Sequence, residues 1–447
     1  MSQVIKIKRG KDLKLAGKAS QETQKIQSKT YAVKPQEYPY VWPKLNVKVG
    51  DEVKAGTSLF YDKTLNKVQF CAPVSGEVVE INRGERRVVQ EIVILADSKI
   101  QYENFEVKSF ESFDKEQIQE ALLAGGLWPT LVQRPFGTLA NYDESPKAIF
   151  IAGFDSAPLA ADYTFVLKEQ KQDLQAGIQA LSKLTEGKLH LNIHQSQASE
   201  DVFQLEGVQK NVFSGMHPSG LLGIQINHID PINKGEVVWT IQATDVAKIG
   251  RFFLTGNYRA EKTFALAGSQ IKNPIYCHAL EGVSLKEILE SNLKEGESRI
   301  IEGNVLTGRQ IQVGSFLGAK TNEISVIPEG KEYEFLGWLF PSYARPSLSK
   351  SMPNYWLERK TYQVNTNTHG EERAFVVSGE YEKVLPMDIM PIQLLKSILA
   401  QDIESMENLG ILEILPEDLA LCEFVCSSKI EVQKIVNQGI ELMLQEG

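Results

Sequence analysis

A chain of 447 residues with 42% hydrophobic and 23% charged side chains has the composition of a folded globular protein, and at roughly 100 to 150 residues per packed unit its length implies three or four domains. Its 57 acidic and 48 basic residues give a net charge of -9, with no Lys/Arg block long enough to track a phosphate backbone, so nucleic acid is not expected as a partner. Four scattered cysteines, Cys71, Cys277, Cys422 and Cys426, argue against a disulfide framework, no secretory signal is read at the start, and no apolar run approaches the ~18 residues of a membrane helix, so a reducing, cytosolic setting without a transmembrane helix is expected.

The start, VIKIKRGKDLKL, alternates apolar and basic residues from Ile5 to Lys8, which predicts a strand before the turn at Gly10. A polar, Gln- and Lys-rich linker follows to Thr30. The segment YAVKPQEYPYVWPK, Tyr31 to Lys44, has four aromatics and three prolines, a composition hostile to helix that predicts a fixed extended loop. Residues 1–44 thus read as an N-terminal strand and aromatic linker. Residues 45–105 are strand and turn, punctuated by Gly50, Gly56, Pro73, Gly76 and Gly84, and predict a small barrel or sandwich.

In 106–255 helical stretches (KEQIQEALLAGGLW, LQAGIQALSKL) alternate with apolar strands (AIFIAGF, KLHLNIH, VVWTIQ), which predicts a mostly parallel α/β sheet. Residues 256–330 return to short strands around one helix, a compact α+β unit. The last segment, 331–447, begins irregularly with PSYARPSLSKSMPNYW and ends in helices, PIQLLKSILAQDIESM and SKIEVQKIVNQGIELMLQEG.

The stretch LFYDKTLNKVQFCAPVSG, Leu59 to Gly76, sits inside a segment that resembles a lipoyl or biotinyl carrier domain. In carriers the modified lysine lies eight residues before the Pro of the second half; counting back from Pro73 gives Leu65, flanked by Lys63 and Lys67. The tip is out of register, so the expectation is a scaffold whose hairpin contacts a partner.

In AGGLWPTLVQRPFG, Ala124 to Gly137, two glycines follow a helix, a pattern that serves either as a C-cap or as a close backbone approach to a ligand. Trp128, Arg134 and Phe136 add stacking surface and a cation. No G-x-G-x-x-G is present. At IFIAGFDSAPLAAD a buried strand runs into a loop with Asp155, Ser156 and Pro158, the place where open α/β sheets bind ligands, although Asp155 equally suits an N-cap. His190 and His194 share a strand face without a third ligand, Cys422 and Cys426 are too few for a cluster, and no catalytic triad emerges, so no metal site and no self-sufficient catalytic set is expected.

Taken together, IKIKRGKDLKLAGKA, the barrel segment, GGLWPTLVQRPFG, FDSAPLAAD, FFLTGNY, NPIYCHALEG, RIIEGNVLTGR, VIPEGKEYEFLGW, NTHGEERAFVVSGEYEKVLPMDIMP and PEDLALCEFVC resemble the A subunits of the Na+-translocating NADH:quinone oxidoreductases. That family is in turn similar to the NADH-binding flavoprotein subunit of respiratory complex I. Where the flavoprotein cradles FMN on an R-G-G-A-G-F-P-T loop, this chain has Leu127 and Trp128 in place of small residues. Where it has an acidic D-E-S-E-P-G run for nucleotide, this chain has Asp155, Ser156, Ala157, Pro158 and Leu159.

The resemblance implies a multidomain α/β and α+β fold: a barrel-sandwich (lipoyl/biotinyl-like) domain, a flavoprotein-like α/β domain, a β-grasp soluble-ligand-binding-like domain and a C-terminal helical domain. It implies a peripheral subunit on the cytoplasmic face of the bacterial inner membrane, bound to five other subunits and in particular to the quinone-proximal membrane subunit. It further implies a role in ubiquinone reduction, at the ubisemiquinone-to-ubiquinol step, coupled to Na+ export. No cofactor of its own is expected, since the S-G-A-T threonines that carry covalent flavin are absent; FMN, riboflavin, FAD and iron–sulfur belong to other subunits, and the isolated chain is not expected to be catalytic. A quinone head wants aromatic faces and donors at its carbonyls. The quinone-site expectation is Tyr40, Trp42, Trp128, Arg134 and Phe136; the alternative is a structural subunit that docks on its membrane neighbour through the same aromatics.

Overall fold

The computed structural model describes residues 4–107, 109–331, 346 and 361–446, so the irregular stretch PSYARPSLSKSMPNYW lies, apart from residue 346, outside the described residues. Among the described residues, four sheets and a C-terminal group of helices carry the architecture.

The first 33 residues, read as one strand and a linker, instead supply a strand to three different sheets. Val4–Lys6 lies parallel on Gln209–Ser214 at the edge of the large sheet, Ser20–Lys25 lies parallel on Ile275–Leu280, and Thr30–Val33 lies antiparallel on Val89–Ala96. Ser20–Lys25 is exposed at all six positions, so no side-chain alternation marks it. Its backbone is held by the edge it completes.

The barrel-sandwich domain pairs a sheet ordered Thr30–Val33, Val89–Ala96, Gly76–Arg83, Glu52–Val53 with one ordered Pro43–Leu45, Ser58–Asp62, Gln69–Cys71. Leu59, Phe60, Val68, Val78, Ile92 and Ile94 are buried between them, and Phe60 stacks on Phe70 with centroids 4.3 Å apart. Each such side chain contributes about 2 kcal/mol of burial. At the hairpin, Lys63 is exposed while Lys67 lies 5.2 Å over the Tyr142 ring of the next domain.

The large sheet runs Val4–Lys6, Gln209–Ser214, Lys188–His194, Ala148–Ala152, Val238–Gln242, Val132–Arg134, Thr138–Leu139, the first five parallel to their neighbours and the last two antiparallel. Successive strands step outward from Ala148–Ala152 on one side, then Val238–Gln242 returns to its other side. The order therefore reverses between Ala148–Ala152 and Val238–Gln242, which makes a topological switch point.

Helix Lys115–Ala124 starts on a capping box, Gln117 N–H donating to Asp114 Oδ1 at 2.9 Å and Asp114 N–H to Gln117 Oε1 at 3.0 Å. It ends in a Schellman turn: Leu127 N–H donates to Leu122 C=O at 2.9 Å, with Gly126 at φ 68°. The Gly-Gly pair is thus a C-cap. It also permits a close approach, because a Cβ on Gly126 would lie 2.5 Å from Cys71 Sγ of the barrel.

A six-stranded sheet ordered Arg309–Ile311, Ser298–Glu302, Glu323–Pro328, Glu261–Ala267, Ile275–Leu280, Ser20–Lys25 with helix Lys286–Asn292 forms the β-grasp unit. The barrel, α/β and β-grasp units share one continuous core. Helices Pro391–Leu399, Ile403–Asn408, Ala420–Val425 and Val432–Glu446 bury a separate core with Ile7, Phe154, Phe213 and Ile224 of the α/β domain. The four cysteines are free and buried. Among the described residues no helix is long and apolar enough to cross a membrane.

Candidate functional site: the crevice at the switch point

The chain leaves Ala148–Ala152 into the loop carrying Asp155 and leaves Val238–Gln242 into helix Ala243–Thr255, whose first turn carries Asp245. These two carboxyl ends flank the switch point, and the β-grasp and C-terminal units close over them. Tyr163, at the start of helix Tyr163–Leu167, donates its hydroxyl to Gln242 Oε1 at 2.8 Å and accepts from Asn322 Nδ2 at 3.0 Å. One phenol therefore ties the α/β strand end to the β-grasp unit.

Behind it stands Glu323, 5% exposed, whose Oε2 has no hydrogen-bond partner. Burial, then the nearby Asp155 charge, holds this carboxyl well above the usual carboxylate range, against one backbone N–H bond from Ala161. Asp155 is also raised by burial, although the N–H groups of Ala157 and Ser156 pull the other way; Ala157 N–H donates to Oδ1 at 2.7 Å. The helix N-cap is Asp162, not Asp155. Burial and the surrounding carboxylates Asp155, Asp245 and Glu323 push the Tyr163 phenol well up. Burial thus favours the protonated form of both carboxyls and of the phenol at the base of the crevice.

Two exposed groups feel the charges of this region, Lys320 of the β-grasp unit through Asp245 and Glu417, and Glu417 of the C-terminal unit through Asp155. Crowding by surrounding atoms still lowers Lys320 and raises Glu417, as expected of groups inside a concavity. Lys320 Nζ lies 4.8 Å over the Tyr38 ring. On the Asp155 side, Ser156 Oγ is 3.0 Å from His217 Nδ1 and accepts from Gly220 N–H at 2.8 Å; burial keeps this imidazole neutral, at about 4.

A second gathering of ionisable groups lies at the seam between barrel, α/β and β-grasp units. Lys248 on helix Ala243–Thr255 pairs with Glu281 at 2.7 Å and donates to the Tyr258 hydroxyl at 3.1 Å. Lys34 pairs with Glu302 at 2.8 Å and Glu37 at 3.1 Å. The seam encloses a cavity of about 30 Å³ bordered by Tyr38, Phe70, Cys71, Gly126, Tyr258 and Glu281. That is room for about two water molecules. No ring fits there.

The structure does not assemble the five residues expected to meet a quinone. Trp128 is fully buried, its Nε1–H donating to Ala140 C=O at 2.7 Å and its ring edge-on to Trp239 at 5.4 Å, so neither face is open. Arg134 is 2% exposed and bonded to Asp418 at 2.9 Å and Glu417 at 3.0 Å. It joins two domains and reaches the crevice only through Glu417. Phe136 is half-buried against the C-terminal core at φ 80°. Tyr40, 37% exposed, and Trp42, 68% exposed, lie on the barrel's aromatic segment, where Trp42 N–H donates to Asp62 Oδ1 at 2.9 Å. The aromatic types were right for stacking, but a core uses the same types.

Three family models cover most of the described chain: the NqrA N-terminal barrel-sandwich hybrid domain over residues 5–97, the NqrA second alpha/beta domain over 113–258, and the NQRA C-terminal domain, of SLBB type, over 263–313. The A subunit of the Na(+)-translocating NADH-quinone reductase of Yersinia pestis bv. Antiqua (strain Angola) is 39% identical over 448 residues, covering 99% of this chain and 100% of that one. The chain belongs to the NqrA family. The Neisseria meningitidis serogroup B member is 37% identical over 450 residues with the same coverage. Outside the family, a NAD+-reducing [NiFe]-hydrogenase in the H2-reduced state superimposes with TM-score 0.38 at 11% identity, covering 75% of this chain and 61% of that one, too loosely to bear on the site.

In this NqrA-family chain, Asp155 and its neighbour Ser156 were the residues of this region that sequence singled out, through the strand-to-loop pattern. Tyr163, Asn322, Glu323, Lys320 and Glu417 come from three domains and share no motif. One signal was present: Glu323 opens the apolar strand EISVIP, where a carboxylate has no place unless a neighbour or a proton neutralises it.

Proposed function

We propose that this chain is a peripheral, cytoplasmic-face subunit of a Na+-translocating NADH:ubiquinone reductase, without a redox cofactor of its own, whose switch-point crevice takes part in the ubisemiquinone-to-ubiquinol step. The five other subunits carry FMN, riboflavin, FAD and iron–sulfur and supply the electron; Na+ export is coupled to the same overall reaction. In that step the semiquinone anion takes up one electron and two protons, one on each ring oxygen. The protons must come from groups that still hold them at neutral pH and stand where water can reload them.

What carries the reading is Glu323: a buried carboxyl with an unpartnered oxygen beside a second raised carboxyl, Asp155, at the switch point. Tyr163, bonded to Gln242 and Asn322, joins the end of strand Val238–Gln242 to the segment that leads into Glu323, and the exposed Lys320 offers a cation to the semiquinone anion. A photoreactive ubiquinone added to the assembled complex should label residues 155–163 or 320–323, in competition with native ubiquinone. Labelling confined to a neighbouring subunit would overturn this.

A second reading, a subunit that serves assembly while its membrane neighbour holds the quinone, is favoured by one observation. Trp42 stands 68% exposed with the partly exposed Tyr40 two residues before it, the composition of an interface anchor. In the proposed arrangement these two aromatics face the quinone-proximal subunit.

A further inference from the structure

A groove of about 400 Å³, in the size range of small-molecule sites, opens where the edge strand Val4–Lys6, the end of helix Leu222–Ile229 and the segment before helix Pro391–Leu399 meet. Lys6, Lys8, Arg9, Asn227, His228 and Asp388 line it. The cause of its charge is the period of the strand. Ile7 is 2% exposed in the C-terminal core, so Lys6 and Lys8, on the opposite face of extended chain, both turn to the groove. Neither of them, nor Arg9, has an ion-pair partner among the described residues.

Three unpaired cations in one concavity suit an anion. The acceptors among them narrow its chemistry. His228 Nδ1 lies 2.8 Å from Ile224 C=O and so carries the hydrogen, which leaves Nε2 an acceptor in the neutral ring. Asp388 is exposed and has no ion-pair partner among the described residues. An inorganic anion without a hydrogen to donate, such as sulfate, has no use for two acceptors; a phosphate ester with free hydroxyls does.

We propose that this groove binds a phosphorylated polyol of the glycerol-phosphate class, its phosphate on Lys6, Lys8 and Arg9 and its hydroxyls on Asp388 and His228. The same chemistry occurs in a soluble ester and in the headgroup of phosphatidylglycerol. The test is titration of the full chain with glycerol 3-phosphate and with inorganic phosphate, followed by calorimetry, beside co-sedimentation with phosphatidylglycerol and with phosphatidylcholine vesicles.

Saturable binding of glycerol 3-phosphate, tighter than inorganic phosphate, identifies a soluble ligand; sedimentation with phosphatidylglycerol vesicles alone identifies the lipid headgroup. In either case Lys6→Glu/Lys8→Glu/Arg9→Glu should weaken binding at least tenfold, and all three positions are exposed, so its thermal transition should match wild type. Asp388→Ala should narrow the preference for the ester over phosphate. Binding by none of the probes, or binding unchanged in the triple variant, would overturn the proposal and leave the lysines as guards of a sheet edge.

Discussion

At the seam Lys34 meets Glu302 at 2.8 Å and Lys248 meets Glu281 at 2.7 Å, all four side chains nearly buried, whereas in the crevice Asp155 and Glu323 lie close enough for one charge to raise the other carboxyl, with no ion-pair partner among the described residues. Both regions remove charge-bearing groups from water, at a cost of several kcal/mol per ion. The seam answers with opposite charges at contact distance. The crevice answers with protons, because a carboxyl without a cation lowers its burial cost by staying neutral. A matched pair locks domains together and has no proton to give; an acid that burial holds in its protonated form does.

The comparison can be broken first at the seam. Lys248→Met should leave Glu281 buried without its counter-charge and destabilise the protein by about 3–5 kcal/mol, read as a lowered denaturant midpoint. Adding Glu281→Leu should recover most of that loss. A negligible effect of the single change would mean that the pair does not hold the units together.

Next in size is the contact that packs the barrel on the α/β domain. Gly126→Ala would force a Cβ to 2.5 Å from Cys71 Sγ at a φ of 68°, with an expected cost of about 2 kcal/mol in unfolding experiments. Cys71→Ala in the same background should relieve part of it. At the far end, Trp42→Ala should move stability by less than about 0.5 kcal/mol, since the indole is mostly in water, yet reduce recovery of the assembled complex on affinity purification.

Much of the fold was legible in the chain. Strict apolar strands such as AIFIA, the helical stretch KEQIQEALLA and the glycine-punctuated strands of the barrel each combine local preference with burial, so pattern and structure agree. Ser20–Lys25 was not legible, because an edge strand exposed on both faces is defined by its partner's backbone and not by its own side chains. The candidate site was legible at Asp155 and Ser156, where topology speaks through a strand end. The burial of Trp128 and Arg134 was not legible for a physical reason: large aromatics and guanidinium groups serve binding surfaces and domain junctions equally well, and the sequence does not show which they face.

The central claim is that Glu323 is a neutral acid in the folded protein at neutral pH. Because its folded value lies above its unfolded one, the folded state binds the extra proton, and the stability it allows is full below the usual carboxylate range and falls as pH rises toward the raised value. Glu323→Gln should remove that part of the fall. The most direct measurement is infrared spectroscopy near neutral pH: wild type should show a protonated carboxyl band that Glu323→Gln loses. A wild-type spectrum with no such band, or a band indifferent to the substitution, would contradict the account.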